Sequence, residues 1–261
     1  MIRVLVNLLV FVINVLYRDR PYARFYVLET VARVPYFAYI SVLHLYETLG
    51  WWRKADWLKI HFAESWNELH HLLIMEALGG DNFLNGADAP ASRRDFEAVA
   101  SVSLMGETPN KGFSRMCALH RFWLDRLLAR ATAVVYYWII VGVYFVSPSA
   151  AYRFMELVEQ QAYKSYDQFL DKHQARLKSQ PAPQVAIDYY RDGDLYMFDE
   201  FQTGKQELRR PAIDNLYDVF TNIRDDEAEH MKTHMKTMVA CQQPHAKHNL
   251  TSPHSPAEYL T

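Results

Sequence analysis

Residues 64–80 read ESWNELHHLLIMEALGG, an apolar, helix-favouring run that nevertheless carries Glu68 and His71 three positions apart. On an α-helix, positions i and i+3 project from one face, so this carboxylate and this imidazole can converge on one ion. The spacing recurs near the other end of the chain, where residues 225–230 read DDEAEH and set Glu227 against His230. Iron that activates oxygen favours carboxylates, which bridge two metals and balance their charge, together with imidazole. Four-helix carboxylate proteins supply this set with one Glu from each of two helices and Glu-x-x-His from each of the other two. The expectation is an all-α, ferritin-like four-helix bundle around a pair of iron ions.

With 14 Glu and 11 His in the chain, two such motifs arise by accident about one time in eight, so spacing alone is suggestive only. Context adds weight, because both matches fall on strong helical patterns separated by further helices. Each of the other two helices needs an inward Glu. One offers Glu29 in VLETVARVP; the other offers Glu156 and Glu159 in FMELVEQQAY, and spacing does not choose between these two. Such carboxylates on apolar helices are costly to bury unless a cation compensates them. His70 points about 100° away from His71 and reads as a surface or supporting residue. Glu64 and Glu76 read as solvated or capping charges, and the Tyr and Trp stripe from Tyr136 to Tyr144 as core or lipid contact rather than a redox relay.

Punctuation residues divide the rest. Pro21 suits the first turn of a helix, Pro35 predicts a kink, and Gly50 and Gly79–Gly80 are stop signals. Residues from about 82 to 119 lose periodicity and read as an insertion. Apolar periodicity returns from His120 to Val146, and Ser147–Pro148 opens a helix that ends before Pro181. A last long helix runs from about Pro211 to Val239, and residues 241–261 read as a disordered tail. Within the 22 charge-free residues from Ala131 to Tyr152, a single membrane crossing would put Glu68 and Glu159 on opposite sides of the bilayer. The same objection applies to Tyr36–Leu45, and the apolar run in the N-terminal helix, residues 1–18, is too short to span. The expectation is a monotopic protein lying in one leaflet, with Trp51, Trp52, Arg53 and Lys54 at the interface.

A net charge of −2 leaves no basic footprint, which argues against a nucleic-acid binder. Cys117 and Cys241 are far apart and form no CxxC pair, which suits a reducing compartment.

At LETVARVP, AESWNELHHLLIMEALGG, NLYDVFTNIRDDEAEH and the SPHS of the tail, the chain resembles the plastid terminal oxidase branch of the alternative oxidase family, from about Leu16 to Cys241. The stretch GDLYMFDEFQTGK, within residues 192–211, is similar to an insertion that marks the plastid branch; the insertion at 82–119 has no counterpart recognised in the family. The resemblance implies an oxidase domain over residues 19–240 with six iron ligands: Glu29, Glu68, His71, Glu159, Glu227 and His230. It selects Glu159 over Glu156. It also implies that Asn67 and Asp226 orient the ligands, that Tyr166 stands close to the two irons with a redox or hydrogen-bonding role, and that quinol sits near the membrane surface among Arg24, Leu28, Val158, Gln161, Ala162 and Ser165. Arg24 would hydrogen-bond the quinol oxygen.

The implied reaction oxidises two plastoquinols and reduces O2 to two waters without proton pumping, on a thylakoid surface facing plastid stroma or cyanobacterial cytoplasm. A homodimer or higher oligomer is implied as well. No long transit-type leader precedes the oxidase-like region, so the expected source is cyanobacterium-like, or the chain mature or trimmed. The rival expectations are a soluble ferritin-like diiron protein (ferroxidase or hydroxylase), lacking apolar surface helices, and a non-catalytic membrane-associated helical protein with solvated Glu–His pairs.

Overall fold

The computed structural model describes residues 2–17, 20–51, 53–80, 131, 133–193 and 211–242. The insertion read at 82–119, most of the one at 192–211, the tail beyond Gln242, Trp52, Cys117 and the start of the helix expected from His120 all lie outside these residues. The described elements are α1 (Ile2–Leu16), α2 (Pro21–Thr48), α3 (Ala55–Ala77), α4 (133–146), α5 (Pro148–Lys178), the single turn α6 (Gln184–Ile187) continued by a π-helical turn (Asp188–Asp192), and α7 (Leu216–Gln242). No strand occurs among the described residues; Pro181 and Asn215 form one isolated bridge.

Local chemistry sets most of the boundaries. Pro21 stands in the first turn of α2, where a missing N–H costs nothing. The helix continues through Pro35, the residue at which a kink is expected; a non-helical residue inside a long helix is His173 in α5 (φ −120°, ψ 15°). Ser147 caps α5, its side chain accepting from Ala150 N, with Pro148 behind it. The last helix starts later than the expected Pro211, because Asn215 Oδ1 accepts from Asp218 N at 3.1 Å and so caps Leu216–Gln242.

The LGG that ends α3 needs both glycines. Gly79 takes a positive φ of 81°. It donates to Glu76 O, and Gly80 to Met75 O, each at 2.9 Å; together these bonds form a Schellman cap. Gly80 lies so close to α2 that a Cβ there would stand 2.7 Å from Tyr22 O and 2.8 Å from Met75 O. The stop signal in the sequence is therefore also the place where α3 presses on α2.

Helices α2, α3, α5 and α7 form the bundle, with α5 packed along α7 and α2 along α3. Two apolar clusters occupy its ends. One gathers Tyr22, Phe25, Tyr166, Phe169 and Phe220; the other gathers Tyr36, Tyr39, Tyr46, Tyr144 and Tyr152. The chemistry-bearing residues lie in the layer between them. Helix α1 buries Val6 and Ile13 against the bundle and turns Val4, Leu8, Phe11 and Val15 outward. Helix α4 does the same, with Tyr144 buried while Val135, Trp138 and Ile139 are exposed. No described helix is long and apolar enough to cross a membrane, as Ser147–Pro148 divides the 131–152 run between α4 and α5.

Candidate metal centre

Each bundle helix sends inward the residues that its spacing aligned: Glu29 from α2, Glu68 and His71 from α3, Glu159 from α5, and Glu227 and His230 from α7. All six are 1% exposed or less. They form two overlapping groups, Glu29–Glu68–His71–Glu227 and Glu68–Glu159–Glu227–His230, each offering ligand atoms within 4.8 Å of one another. Glu68 and Glu227 belong to both. Glu68 Oε1 lies 3.0 Å from His230 Nδ1 and 4.0 Å from His71 Nδ1. The two oxygens of Glu227 divide similarly, Oε1 standing 3.3 Å from His71 Nδ1 and Oε2 3.7 Å from His230 Nδ1. Glu29 Oε2 is 3.5 Å from His71 Nδ1 and completes one end. Glu156 is excluded from both groups, because it turns toward Arg153 and pairs with it.

Four carboxylates buried together pose a charge problem. Burial, followed by the charges of Glu227, Glu29 and Glu159, pushes Glu68 well above the usual carboxylate range. Burial and Glu227 do the same to Glu159, and burial with Glu29 raises Glu227. Burial also acts against ionised Glu29, but His71, 3.5 Å away, outweighs it and holds Glu29 below its ordinary value. His71 is raised well above the usual imidazole range: burial disfavours its charge, yet Asp226, Glu227 and Glu29 overcome that.

The orphaned atoms test whether metal fits. Glu29 Oε2, Glu159 Oε2, both oxygens of Glu68 and of Glu227, and His71 Nδ1 are buried with no hydrogen-bond partner. Buried polar atoms seldom remain so without an ion or water to serve them. Two divalent cations would meet four negative charges with four positive ones and occupy those lone pairs, so the residues fit a two-metal site.

Supporting contacts surround the cluster. Asp226 Oδ2 receives Tyr190 O–H at 2.8 Å, Asn67 Nδ2 at 3.1 Å and His71 Nε2 at 3.2 Å. A proton on His71 Nε2 leaves the Nδ1 lone pair aimed at the metal position. Asn67 Nδ2 also donates to Tyr189 O–H oxygen at 2.7 Å; the π-helical turn supplies both tyrosines. His70 stacks on Tyr189 at 4.0 Å and lies outside the cluster. Tyr166 donates to Glu29 Oε1, and Tyr36 to Glu159 Oε1 at 2.7 Å. Burial, then the adjoining carboxylate, raises both phenols well above the ordinary value, so they stay protonated donors.

Several of these residues escaped the sequence reading. Glu64 is fully buried rather than solvated, its Oε2 2.9 Å from His61 Nδ1. His61 Nε2 in turn meets Tyr152 O–H at 2.7 Å, and His234 Nε2 meets Tyr36 O–H at 3.0 Å. Burial lowers His234 to about 3, so this imidazole is neutral. A signal existed: His61, Glu64, Glu68 and His71 follow one another at helical spacings of three or four along one face of α3. Glu76 is exposed, as read.

The residues expected around quinol fall on facing helices. Arg24 and Leu28 share a face of α2; Val158, Gln161, Ala162 and Ser165 share one of α5. Arg24 is half-buried, with its guanidinium 5.0 Å from the Phe25 ring and its Nε lacking a hydrogen-bond partner. A cleft of about 470 Å³ lies elsewhere, among Tyr46, Trp51, Phe145, Ser149 and Cys241, and includes none of these six. Tyr46 and Arg24 are about 33 Å apart along α2, at 1.5 Å per residue.

The pattern of a family described as Alternative oxidase matches residues 1–85 and 112–239. The chain is 51% identical over 245 residues to "Ubiquinol oxidase 4, chloroplastic/chromoplastic" of Arabidopsis thaliana, covering 94% of this chain and 57% of that protein. It is 32% identical over 169 residues to "Ubiquinol oxidase 1b, mitochondrial" of Oryza sativa subsp. japonica, covering 61% and 45%. "Ubiquinol oxidase 2, mitochondrial" of Glycine max is 26% identical over 218 residues, covering 83% and 48%. The chain therefore spans about half the length of the curated relatives it matches. With a four-helix bundle, two Glu-x-x-His motifs meeting at one buried cluster and a family match over most of its residues, the chain belongs to the alternative oxidase family.

Proposed function

We propose that the protein is a diiron quinol:oxygen oxidoreductase that oxidises two plastoquinols and reduces O2 to two waters, working from one leaflet of a thylakoid membrane as a homodimer or higher oligomer. The observation that carries this reading is the pair of ligand groups sharing Glu68 and Glu227, since shared carboxylates suit two adjacent irons. Glu29 and His71 would complete one iron and Glu159 and His230 the other. Bound iron would supply the redox chemistry that reduces O2.

The chain's own residues account for the rest. Asp226, held by Asn67 and Tyr190, fixes the His71 tautomer; Tyr166 and Tyr36 hold the terminal carboxylates Glu29 and Glu159 by hydrogen bonds. Arg24 lies over the Phe25 ring, which stacks on Tyr166, and donates to a quinol oxygen while Leu28, Val158 and Ala162 receive the apolar ring. Gln161 and Ser165 offer polar edges on the same face. The exposed apolar faces of α1 and α4 support seating in lipid, and they weigh against the soluble ferritin-like alternative.

The test is O2 uptake by iron-loaded protein in detergent with a plastoquinol analogue, beside an iron assay. About two irons per chain and cyanide-insensitive uptake are expected. Iron binding without quinol oxidation would favour the ferritin-like reading, and no stoichiometric iron would sink both.

A further inference from the structure

A chain of oxidisable rings leads from the Glu159 end of the cluster to solvent. Tyr36, which donates to Glu159, has its ring centroid 6.4 Å from that of Tyr39. Tyr144 follows at 4.7 Å from Tyr39, Tyr46 at 6.5 Å from Tyr144, and Trp51 at 6.1 Å from Tyr46. Tyr152 makes a parallel rung, 5.2 Å from Tyr39 and 5.5 Å from Tyr144. All five tyrosines are buried, whereas Trp51 is 64% exposed and lines the cleft at the far end of α2. The path is thus closed to water except at its outer end.

Two of these phenols have an imidazole in place to take a proton. Tyr36 O–H lies 3.0 Å from His234 Nε2. Tyr152 O–H lies 2.7 Å from His61 Nε2, whose other nitrogen is paired with Glu64 at 2.9 Å. A core needs only volume, which Phe or Leu supplies without hydroxyls to satisfy. Phenols in contact, with bases placed on two of them, exceed that need.

We propose that these rings carry oxidising equivalents away from the metal centre when quinol is lacking, and deliver them to Trp51, where a soluble thiol or ascorbate refills them. The inference rests on the diiron quinol oxidase reading. Reducing one O2 to two waters takes four electrons and four protons. Two quinols ordinarily furnish all four of each; without them, iron loaded in the ferrous state would supply two of the electrons, and solvent the protons. Without quinol, the last two electrons come from side chains. Tyr36 loses one electron to the centre, and its phenolic proton turns from Glu159 Oε1 to His234 Nε2, 3.0 Å away. An electron from the next ring then refills Tyr36, the proton returns, and the vacancy moves outward. At Trp51 it leaves an indole short of one electron and its N–H proton, and a thiol returns one of each; a second passage along the same rings supplies the second electron, and the two oxidised thiols pair as a disulfide.

The test mixes iron-loaded, reduced protein with O2 in the absence of quinol, with catalase and superoxide dismutase present to remove diffusible oxidants. Peptide mass spectrometry locates oxygen adducts and freeze-quench electron paramagnetic resonance detects tyrosyl or tryptophanyl radicals. Adducts are expected to concentrate at Trp51. In Tyr144→Phe, which cuts both rungs, they should fall about tenfold at Trp51 and accumulate at Tyr36 and Tyr39, with O2 consumed per iron unchanged. Tyr46→Phe moves the break one ring outward and serves if Tyr144→Phe does not fold; Tyr137→Phe, off the path, should leave the pattern unaltered. Equal Trp51 adducts in the wild type, Tyr144→Phe and Tyr46→Phe proteins would overturn the relay alone. Absence of O2 consumption by the wild type would instead remove the oxidase reading and the relay with it.

Discussion

Tyr166 and Tyr36 each stand two helical turns beyond a cluster glutamate on their own helix (159 to 166, 29 to 36), yet each donates to the glutamate of the other helix. Seven residues return the side chain to nearly the same face, and antiparallel α2 and α5 bring each tyrosine opposite the other's carboxylate. The two ends of the cluster are therefore built alike at first contact. Behind it they diverge. Tyr166 is backed by Phe25, stacked at 4.3 Å, and by Phe220 at 5.9 Å, an apolar wall beside Arg24. Tyr36 is backed by His234, beyond which lie His61, Glu64 and Tyr152. A nearly symmetric pair of ligand groups thus has one end backed by an apolar wall and another whose polar chain continues away from it.

The largest effect should come from the residues common to both ends. Glu68→Gln or Glu227→Gln removes a carboxylate shared by the two groups, so iron should drop from about two to less than one per chain and quinol-dependent O2 uptake should vanish. Glu156→Gln should retain full iron; equal losses at Glu156 and Glu159 would undo the assignment of Glu159.

Proton release follows from the same charges. Glu68, Glu159, Glu227 and His71 all sit above their ordinary values, so they bind protons more tightly than usual, and a bound metal competes with those protons. Loading with ferrous ion should release about two to four protons per chain, and affinity should fall as pH falls. Release of none, measured in weakly buffered solution, would contradict this charge balance.

Asp226→Asn acts on one end only. It weakens the hold on the His71 Nε2 proton and should cost about 10- to 100-fold in iron affinity, read by competition with a chelator. Glu29 and His71 should be depleted of metal before Glu159 and His230.

The smallest effects compare the tyrosines. Each loses a hydrogen bond to a carboxylate, worth about 1.5–3 kcal/mol, so Tyr166→Phe and Tyr36→Phe should both keep iron. Tyr166→Phe should raise the KM for quinol through Phe25, which touches both it and Arg24, whereas Tyr36→Phe should leave KM unchanged. Identical quinol kinetics in the two variants would erase the distinction between the ends.

Much of this protein was legible from residue order. Helical spacing made Glu68 with His71, and Glu227 with His230, co-facial wherever their helices went, and turn chemistry placed the stops at Gly50 and Gly79–Gly80. Those are local properties, set by 3.6 residues per turn and by which residues tolerate a positive φ. Spacing alone could not choose Glu159 over Glu156, because both suit the same helical pattern; packing does, by turning Glu156 to Arg153 and Glu159 to the cluster. Nor could it assign Glu64, which reads as a surface charge until His61 and the neighbouring helices close over it. The exchange of Tyr36 and Tyr166 between α2 and α5 joins residues more than 120 positions apart. Only the antiparallel docking of two helices decides such a contact, since the energy of a buried hydrogen bond depends on distance in space and carries no trace in the spacing of the chain.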